Sequence, residues 1–507
     1  MTGQPEHRTA ACPRLMIAAL RGSSGKTLAS LGLIAAWRAR GLAVASFKKG
    51  PDYIDAAWHT RAAGRPCRNL DAYLMADEQI VRSVGEHGRA ADVALIEANH
   101  GLYDGVGAEA AASAAELAKL LRSPVLLLVD CTKATRTVAA MVLGCQRMDP
   151  AVPLAGILLN QVATPRQEHA IRAAVQEVCG LPVLGSIPRL PDLDFKERHL
   201  GLFTPAEHAD PLHPIAAARR AVEDHVDVEG VLTLARGAPP LAWTVEADGA
   251  QPPVTAEPIR IGIVRDSAFT FYYPENLEGL ERLGAELVEV SALKDADLPA
   301  LDGLYIGGGY PETHAAALAA NASFRRAVRR EIEAGLPVIA ECGGLLYLGE
   351  AYVMDGTAHP MVGVFPVTFE LGKRPWGHGY ACVEVAEPNP FFAPGTALRG
   401  HEFRYSYARP ADGGPPRMAF RMRKGFGFDG ARDGLVHKNV LASFVHFHAG
   451  GTPEWAPALV RQARRQAERR RAPLTAAPDE GEMTEGGRKR RGRRTWDGDC
   501  EASGPSE

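Results

Sequence analysis

One cysteine lies where a short strand, a sharp turn and a helix are expected to meet. Cys342 follows the apolar run Val338–Ala340 and is followed directly by Gly343 and Gly344. We expect a cysteine at such a turn to be exposed at the end of its strand, and a helix N-terminus favours the reactive thiolate form. The pattern therefore indicates a nucleophile that needs a base from elsewhere in the chain.

The candidate bases are two histidines late in the chain. His446 and His448 close the segment 443–448, and the two-residue repeat of a strand places both on one face. Gly308 and Gly309 follow another apolar run, so their backbone N–H groups, with that of Gly343, are predicted to form an oxyanion hole. A single cysteine more often packs in a core, but the turn, the glycine loop and the histidines together favour catalysis.

The first half of the chain carries a phosphate-binding pattern. Residues 21–27 are Arg-Gly-Ser-Ser-Gly-Lys-Thr and follow the apolar run Leu15–Leu20. A glycine-rich turn before a helix presents backbone N–H groups to a phosphate, while its lysine reaches the β- and γ-phosphates and its threonine binds Mg²⁺. The usual motif begins with glycine, where this chain has leucine. The predicted nucleotide-binding residues are Gly22, Ser23, Ser24, Gly25, Lys26 and Thr27.

Charged side chains follow the next predicted strands, at the edge where an open parallel sheet binds its ligands. Lys48 and Asp52 come after the second apolar run, Glu97 ends the third, and Asp104 follows it. Because Mg²⁺ prefers hard oxygen ligands, we predict Thr27, Asp52 and Glu97 as the metal site. Taken alone, Asp52 and Asp104 are better explained as turn residues, since glycine and proline surround both. Their position beside a phosphate loop, however, favours a role for both in the nucleotide site.

Short apolar runs alternate with alanine-rich helical stretches along most of the chain, which is typical of α/β folds. We predict two doubly wound parallel-sheet domains, a P-loop NTPase-like one followed by one that carries the cysteine. A stretch rich in proline and glycine separates them. The expected division is a disordered N-terminus at 1–13, the first domain at 14–235, a linker at 236–258, the second domain at 259–471 and a disordered basic tail at 472–507.

Composition excludes several classes of protein. The 507 residues carry a net charge of −3, which argues against a basic nucleic-acid-binding protein. Eight cysteines are scattered without a Cys-x-x-Cys pair, so we expect a cytoplasmic protein without disulfides or zinc. The apolar runs are too short to cross a membrane. The basic run Arg488–Arg494 could contact nucleic acid or an acidic partner, but a solvated tail explains it better.

The two motif-bearing halves together resemble the cobyrinate a,c-diamide synthase family, which are ATP-dependent, glutamine-hydrolysing amidoligases of corrin biosynthesis. The resemblance covers nearly all of residues 14–471. It implies a first domain similar to dethiobiotin synthetase and a second similar to class I glutamine amidotransferases of the cobyrinate/cobyrate type. The matching segments are K-G-P-D-Y-I-D at 49–55, G-R-P-C-R-N-L-D at 64–71, G-L-Y-D-G at 101–105, G-G-G-Y-P-E at 307–312, E-C-G-G-L-L-Y-L at 341–348, R-G-H-E-F-R-Y-S at 399–406 and S-F-V-H-F-H at 443–448.

The resemblance implies roles for single residues of the first domain. Lys26 and Thr27 would hold ATP and Mg²⁺, and Lys48 matches a phosphate-contacting lysine of the dethiobiotin synthetase relatives. Glu97 matches their metal carboxylate and Asn160 their adenine-reading asparagine. The positions tied to substrate and intermediate handling in the family are Asp52, Tyr53, Ile54 and Asp104.

In the second domain, Cys342 matches the glutaminase nucleophile and His446 its base. Ordinary class I amidotransferases have a glutamate two residues after that histidine. This family has histidine there, so two interpretations stay open: His448 orients His446, or the two histidines act as a pair with the cysteine.

The implied reaction is the amidation of the a and c carboxylates of cobyrinate or hydrogenobyrinate, through an acyl phosphate, with ammonia from glutamine. Departures from the family pattern occur at Lys48–Gly50, at 98–100 and at 449–453. They make amidation of siroheme, or of nickel sirohydrochlorin, the alternative. A partition-type or regulatory P-loop ATPase would explain the first half only. The partners are small molecules, namely a tetrapyrrole acid, L-glutamine and ATP, and a homodimer is compatible with the sequence.

Overall fold

A computed structural model describes residues 6–107, 111–190, 197–198, 201–245, 258–410 and 414–471. The expected basic tail at 472–507 lies outside these residues. The chain forms two compact units, and the division between them is not a single cut. Among the described residues, the first unit contains those up to 245 together with 270–282 and 448–453; the second contains those of 258–269, 283–447 and 454–471.

The first unit is built on a seven-stranded parallel sheet of order β4-β3-β5-β2-β6-β7-β8. Its strands are almost continuously apolar because helices cover both faces of such a sheet. The elements are β1 (Glu6–Ala10), β2 (Arg14–Ala19), α1 (Lys26–Ala39), β3 (Val44–Lys49), α2 (Tyr53–Ala63), β4 (Arg68–Leu70), α3 (Asp77–Gly88), β5 (Val93–Glu97), α4 (Ala114–Leu120), β6 (Val125–Asp130), α5 (Thr137–Met148), β7 (Leu154–Val162), α6 (Pro165–Cys179), β8 (Val183–Pro188), β9 (Glu197–Arg198), β10 (Gly201–Leu202), α7 (Leu212–His225), α8 (Val228–Arg236), β11 (Leu241–Val245) and, from the later part of the chain, α9 (Pro274–Arg282).

Two short strands lie where the sequence suggested irregular chain. β1 falls in the expected disordered terminus and β11 in the expected linker, and the two pair antiparallel. Trp243 of β11 anchors this pair, since its ring lies against Gly85 of α3, where even a Cβ atom would come within 2.5 Å. A single tryptophan among many turn-forming residues is a weak sequence signal, which is why this pairing was missed.

The second unit has a ten-stranded sheet of order β13-β12-β14-β15-β24-β23-β22-β19-β20-β25 and a four-stranded sheet of order β17-β16-β18-β21. The elements are β12 (Ile259–Val264), β13 (Ala285–Val290), β14 (Gly303–Ile306), α10 (Ala315–Ala320), α11 (Ala322–Glu333), β15 (Val338–Glu341), α12 (Gly343–Leu348), β16 (Ala351–Met354), β17 (Thr357–Pro360), β18 (Val367–Leu371), β19 (Gly377–Val385), β20 (Ala397–Arg404), β21 (Ser406–Pro410), β22 (Met418–Lys424), β23 (Arg432–His437), β24 (Val440–Ser443), β25 (His446–Phe447) and α13 (Trp455–Arg471).

The prediction of an α/β fold with parallel sheets is confirmed, but only part of the larger sheet of the second unit is parallel. Strands β13, β12, β14, β15 and β24 run parallel. The sheet continues beyond β24 in antiparallel strands. Antiparallel strands with one exposed face alternate polar and apolar residues, so they lack the solid apolar runs that marked the parallel strands.

Among the residues that the structure describes, none of the helices combines the length and the apolar character that a membrane crossing requires.

The packing of α1 on α7 yields the first prediction. A Cβ atom at Gly32 of α1 would lie 2.3 Å from Val222 Cγ2 and 2.5 Å from the Ala218 carbonyl oxygen. Gly32→Ala should therefore destabilise the first unit by about 1–3 kcal/mol, the usual cost of overpacking. Gly144→Ala in α5 is the matched control, because it meets no atom within 4 Å and gains helix propensity of up to about 1 kcal/mol. The midpoint of urea unfolding measures both; equal midpoints would contradict the account.

Candidate functional site

The lysine of the phosphate loop makes hydrogen bonds to backbone carbonyl groups. Gly25 adopts φ 97° and caps α1, so Lys26 begins the helix. The Lys26 ammonium donates to the carbonyl oxygens of Arg21 at 3.1 Å and His100 at 2.8 Å. Burial, and then the nearby charge of Lys48, lowers the pKa of Lys26 to about 8. The loop thus holds a buried cation whose hydrogen bonds go to neutral carbonyl groups, which suits an incoming phosphate.

A buried charge cluster lies beside this loop. Lys48 Nζ is 2.6 Å from Glu97 Oε1 and 2.6 Å from Asp55 Oδ2, and Asp52 Oδ2 is 3.8 Å away. His59 Nε2 lies 2.7 Å from the other oxygen of Glu97. The Thr27 hydroxyl donates to Glu97 Oε1 at 3.1 Å. These contacts place the ends of β3 and β5 and the start of α1 in one site.

The pKa values of the cluster follow from this arrangement. Burial alone would raise the pKa of Glu97, but Lys48 and His59 hold it well below its usual range. His59 is buried, which lowers its pKa, yet the Glu97 carboxylate outweighs burial and raises the pKa to about 10. Asp55 has a pKa raised to about 7 by burial and by Asp52. Glu97 is therefore the firmly ionised carboxylate of the site.

The predicted metal ligands can be tested against these contacts. Thr27 and Glu97 present two oxygen atoms 3.1 Å apart beside the phosphate loop, and Mg²⁺ is normally held by one or two protein oxygens plus nucleotide phosphates. The donor set fits that use. In the part of the chain that the structure describes, no three acidic, histidine or cysteine side chains form a cage for an ion by themselves.

Asp52 and Asp104 both accept hydrogen bonds from nearby backbone N–H groups. Asp52 caps α2, since its Oδ1 accepts from the backbone N–H groups of Ile54 at 2.9 Å and Asp55 at 3.0 Å. Asp104 Oδ2 accepts from the Gly101 N–H at 2.8 Å. Their roles at the metal and in substrate handling remain predictions. Tyr53, at the first position of α2, stacks on Phe271 with ring centroids 4.9 Å apart.

Asn160 and Lys49 complete this edge of the sheet. The Asn160 amide donates to the Ser24 carbonyl oxygen at 2.7 Å, and it lies so close to Gly25 that a Cβ there would come within 2.4 Å. Lys49 is buried and donates to Asn99 Oδ1 at 2.7 Å. Burial lowers the pKa of Lys49 to about 8. Two of the positions that depart from the family pattern therefore contact each other.

Sequence reasoning missed Asp55 and His59 as members of the charge cluster. Both are on α2, four residues apart, so they project from the same face of the helix. That spacing after the Lys-Gly-Pro-Asp segment was the available signal. It was weak because an acidic residue in the first turn of a helix and a histidine further along are also typical of ordinary helices.

Cys342 occupies a strained turn. Its backbone has φ 47° and ψ −99°, between the end of β15 and the start of α12. A non-glycine residue in such a region costs about 1–3 kcal/mol and is typical of active sites. The Cys342 N–H donates to the Ser443 carbonyl oxygen at 2.7 Å, which ties the turn to β24.

Cys342 is 6% exposed, which corrects the expectation of an exposed thiol. The thiol is buried because the glycine loop packs against the start of α12: a Cβ at Gly343 would lie 3.1 Å from the Gly309 backbone nitrogen. Gly309 itself adopts φ 155°. Gly308 precedes it and is buried. The Gly309 nitrogen therefore lies beside the start of α12. The oxyanion hole of Gly308, Gly309 and Gly343 remains a prediction.

The two histidines have different surroundings. His446 Nδ1 lies 3.7 Å from Glu341 Oε2, and its ring stacks on that of His401. Burial lowers the pKa of His446, but Cys342 and then Glu341 raise it to about 9. His448 belongs to the first unit, where its Nε2 lies 3.5 Å from Glu275 Oε2. That His448 acts in catalysis remains a prediction, and its observed carboxylate partner is Glu275.

Comparison with known proteins finds a family model for each half of the chain. Residues 15–202 match the family model of the CobQ/CobB/MinD/ParA nucleotide binding domain, and residues 260–453 match that of the CobB/CobQ-like glutamine amidotransferase domain. A P-loop domain joined to an amidotransferase domain defines the class of protein.

Relatives match over nearly their whole length. A cobyrinate a,c-diamide synthase of Magnetococcus marinus is 43% identical over 89% of this chain and 97% of its own. The enzyme of that name from Archaeoglobus fulgidus is 39% identical over 86% of this chain and 94% of its own. A hydrogenobyrinate a,c-diamide synthase of Streptomyces coelicolor is 39% identical over 90% of this chain and 98% of its own. The chain belongs to the cobyrinate a,c-diamide synthase family.

The charge cluster yields the second prediction. Lys48→Met leaves Glu97 and Asp55 buried without their shared cation, so the first unit should lose about 3–5 kcal/mol of its free energy of unfolding. The double variant Lys48→Met/Glu97→Gln should cost less than the sum of the single changes, because the two charges are coupled. Urea-dependent hydrogen exchange of the amides of α1 measures this.

Arg21→Met is the matched control. It also removes a cation from an ion pair, with Asp130, but the Arg21 side chain is 71% exposed. A loss of only about 0–1 kcal/mol is expected for such a pair. Additive effects in the Lys48 and Glu97 variants, or a Lys48→Met loss as small as that of Arg21→Met, would contradict the cluster.

Proposed function

We propose that this protein amidates the a and c side-chain carboxylates of cobyrinate or hydrogenobyrinate in cobalamin biosynthesis, with ATP, Mg²⁺ and ammonia released from glutamine. The observation that carries the proposal is the presence, in one chain, of a strained cysteine beside a histidine and a phosphate loop beside an ionised glutamate. The relatives' names supply the tetrapyrrole.

The second unit carries out glutamine hydrolysis. Cys342 transfers its thiol proton to His446 and attacks the side-chain amide carbon of glutamine. The N–H groups of Gly309 and Gly343 stabilise the resulting oxyanion. His446 returns the proton to the leaving nitrogen, ammonia departs, and water hydrolyses the glutamyl thioester. The raised pKa of His446, about 9, suits a group that must hold this proton as imidazolium.

The first unit activates the carboxylate. The loop 22–27 binds the nucleotide phosphates, and the Lys26 ammonium stabilises the charge of the phosphoryl group in transfer. Bound Mg²⁺, held by Thr27 and Glu97, would neutralise phosphate charge. The substrate carboxylate takes the γ-phosphoryl group and becomes an acyl phosphate. Ammonia then displaces phosphate and leaves a primary amide.

The choice of macrocycle depends on the edge of the sheet near Lys49. This buried ammonium, held by Asn99 at 2.7 Å, is a second cation next to Lys48. A carboxylate-rich substrate suits it. Because Lys49 and Asn99 are among the departures from the family pattern, amidation of siroheme or of nickel sirohydrochlorin is the second candidate.

We propose the cytoplasm as the site of this reaction and keep the homodimer as a proposal. All seven cysteines within the described residues are unbridged thiols, which suits a reducing compartment.

The third prediction separates the two half-reactions. Cys342→Ala should abolish glutamine-dependent synthesis but leave ammonia-dependent synthesis, because only the glutaminase loses its nucleophile. Glu97→Gln is the matched variant and should show the opposite: amidation fails with either nitrogen source, while ammonia is still released from glutamine. Product mass spectrometry and an ammonia assay measure both. If Cys342→Ala lost both kinds of synthesis equally with its fold intact, two separate sites would be the wrong description.

A further inference from the structure

The glutaminase base lacks the acidic partner that ordinary class I enzymes place two residues after it. His448 stands at that position, and its own carboxylate partner is Glu275 of the first unit. We propose that Glu341, the residue directly before the nucleophile, is the positioning residue that orients His446. This inference rests on the proposed glutaminase reaction and goes beyond it by assigning the missing carboxylate.

The backbone places Glu341 next to the base. Glu341 is the last residue of β15 and stands in register with Ser443 of β24, shortly before His446. Its Oε2 lies 3.7 Å from His446 Nδ1 and accepts a hydrogen bond from the Tyr305 hydroxyl at 3.0 Å. Such distances often tighten when substrate binds. The same strand end therefore supplies both the nucleophile and the carboxylate.

The burial of Glu341 argues for a function. The residue is 0% exposed, and its Oε1 has no hydrogen-bond partner among the residues that the structure describes. A buried carboxylate is costly unless a charge or several donors compensate it. A single hydrogen bond from a tyrosine hydroxyl offsets little of this free-energy cost. A purely structural role therefore does not explain why Glu341 is buried. An imidazolium at His446, formed when Cys342 gives up its proton, supplies the missing charge.

The position of Glu341 also fixes the orientation and the tautomer of the His446 ring. A carboxylate facing Nδ1 accepts the N–H of that nitrogen, which leaves the other ring nitrogen to take the thiol proton. Within the described residues, the groups near the pair include the Cys342 thiol, the Tyr305 hydroxyl and the His401 ring, stacked at 4.9 Å on His446. Tyr352 and Arg404 interact electrostatically with Cys342.

The fourth prediction concerns Glu341→Gln, which keeps the size of the side chain but removes its charge. The kcat of glutamine hydrolysis should fall about 10²–10⁴-fold, as for an amide in place of a triad acid. The KM for glutamine should change little, since Glu341 is not assigned to substrate binding. Ammonia-dependent synthesis should be unchanged.

A second readout separates positioning from a structural role. The rate at which iodoacetamide alkylates Cys342, followed on its peptide by mass spectrometry, reports the thiolate–imidazolium pair. Without the Glu341 charge the imidazolium is less stable, so the pKa of His446 falls and the onset of alkylation should move to higher pH. Tyr305→Phe is the control: it removes the hydrogen bond to Glu341 and keeps the carboxylate. It should move the onset less than Glu341→Gln does, and Glu341→Asp should restore part of kcat.

Wild-type kcat in Glu341→Gln, or the same loss in Tyr305→Phe, would overturn the proposal. If Glu341→Gln does not fold, Glu341→Asp and Tyr305→Phe still decide it, because a structural role predicts equal losses in both. The failure of the proposed function looks different: the wild-type protein would release no more ammonia from glutamine than Cys342→Ala does. The alkylation onset tests Glu341 in that case as well.

Discussion

The first unit depends on one buried cation. Lys48 holds the fully buried Glu97 and the partly buried Asp55 at 2.6 Å each. Burying these carboxylates without Lys48 would cost several kcal/mol, so β3 and β5 must end, and α2 must begin, where their charged residues meet. The phosphate loop then lies beside an ionised Glu97, and the Thr27 hydroxyl already contacts it. The Lys48 cluster therefore fixes where a nucleotide can react in this unit.

In the second unit, backbone strain holds the proposed nucleophile in place. Cys342 is held at φ 47° by the parallel strands on either side of its own and by a hydrogen bond to Ser443. The sheet thus maintains a conformation that the residue would not adopt alone. Glu341 ends β15, and His446 begins β25, which follows the neighbouring strand β24 in the chain. Strands of one sheet therefore carry the proposed nucleophile, base and carboxylate.

The parallel strands and the motifs at their ends could be predicted because both are local in sequence. The run Val93–Glu97 became β5 with the same bounds, and the Lys26 and Cys342 turns fell where glycine spacing indicated. The antiparallel strands of the second unit and the β1–β11 pair could not, since alternating residues and a single tryptophan are weak signals. The contacts of Asp55, His59 and Glu341 depend on which strand ends become neighbours. That information lies in the tertiary structure, and sequence spacing alone does not supply it.

In the proposed reaction, one chain releases ammonia from glutamine and places it on a tetrapyrrole carboxylate. The most direct test gives the purified protein ATP, Mg²⁺ and glutamine labelled with ¹⁵N in the side-chain amide, with cobyrinate, hydrogenobyrinate, siroheme or nickel sirohydrochlorin in turn. Mass spectrometry of the macrocycle follows the exchange of OH for NH₂. We expect a corrinoid that carries two labelled amides. Labelled siroheme alone would keep the mechanism and change the substrate, whereas no labelled macrocycle from any of the four, with ATP and glutamine both bound, would contradict the proposed reaction.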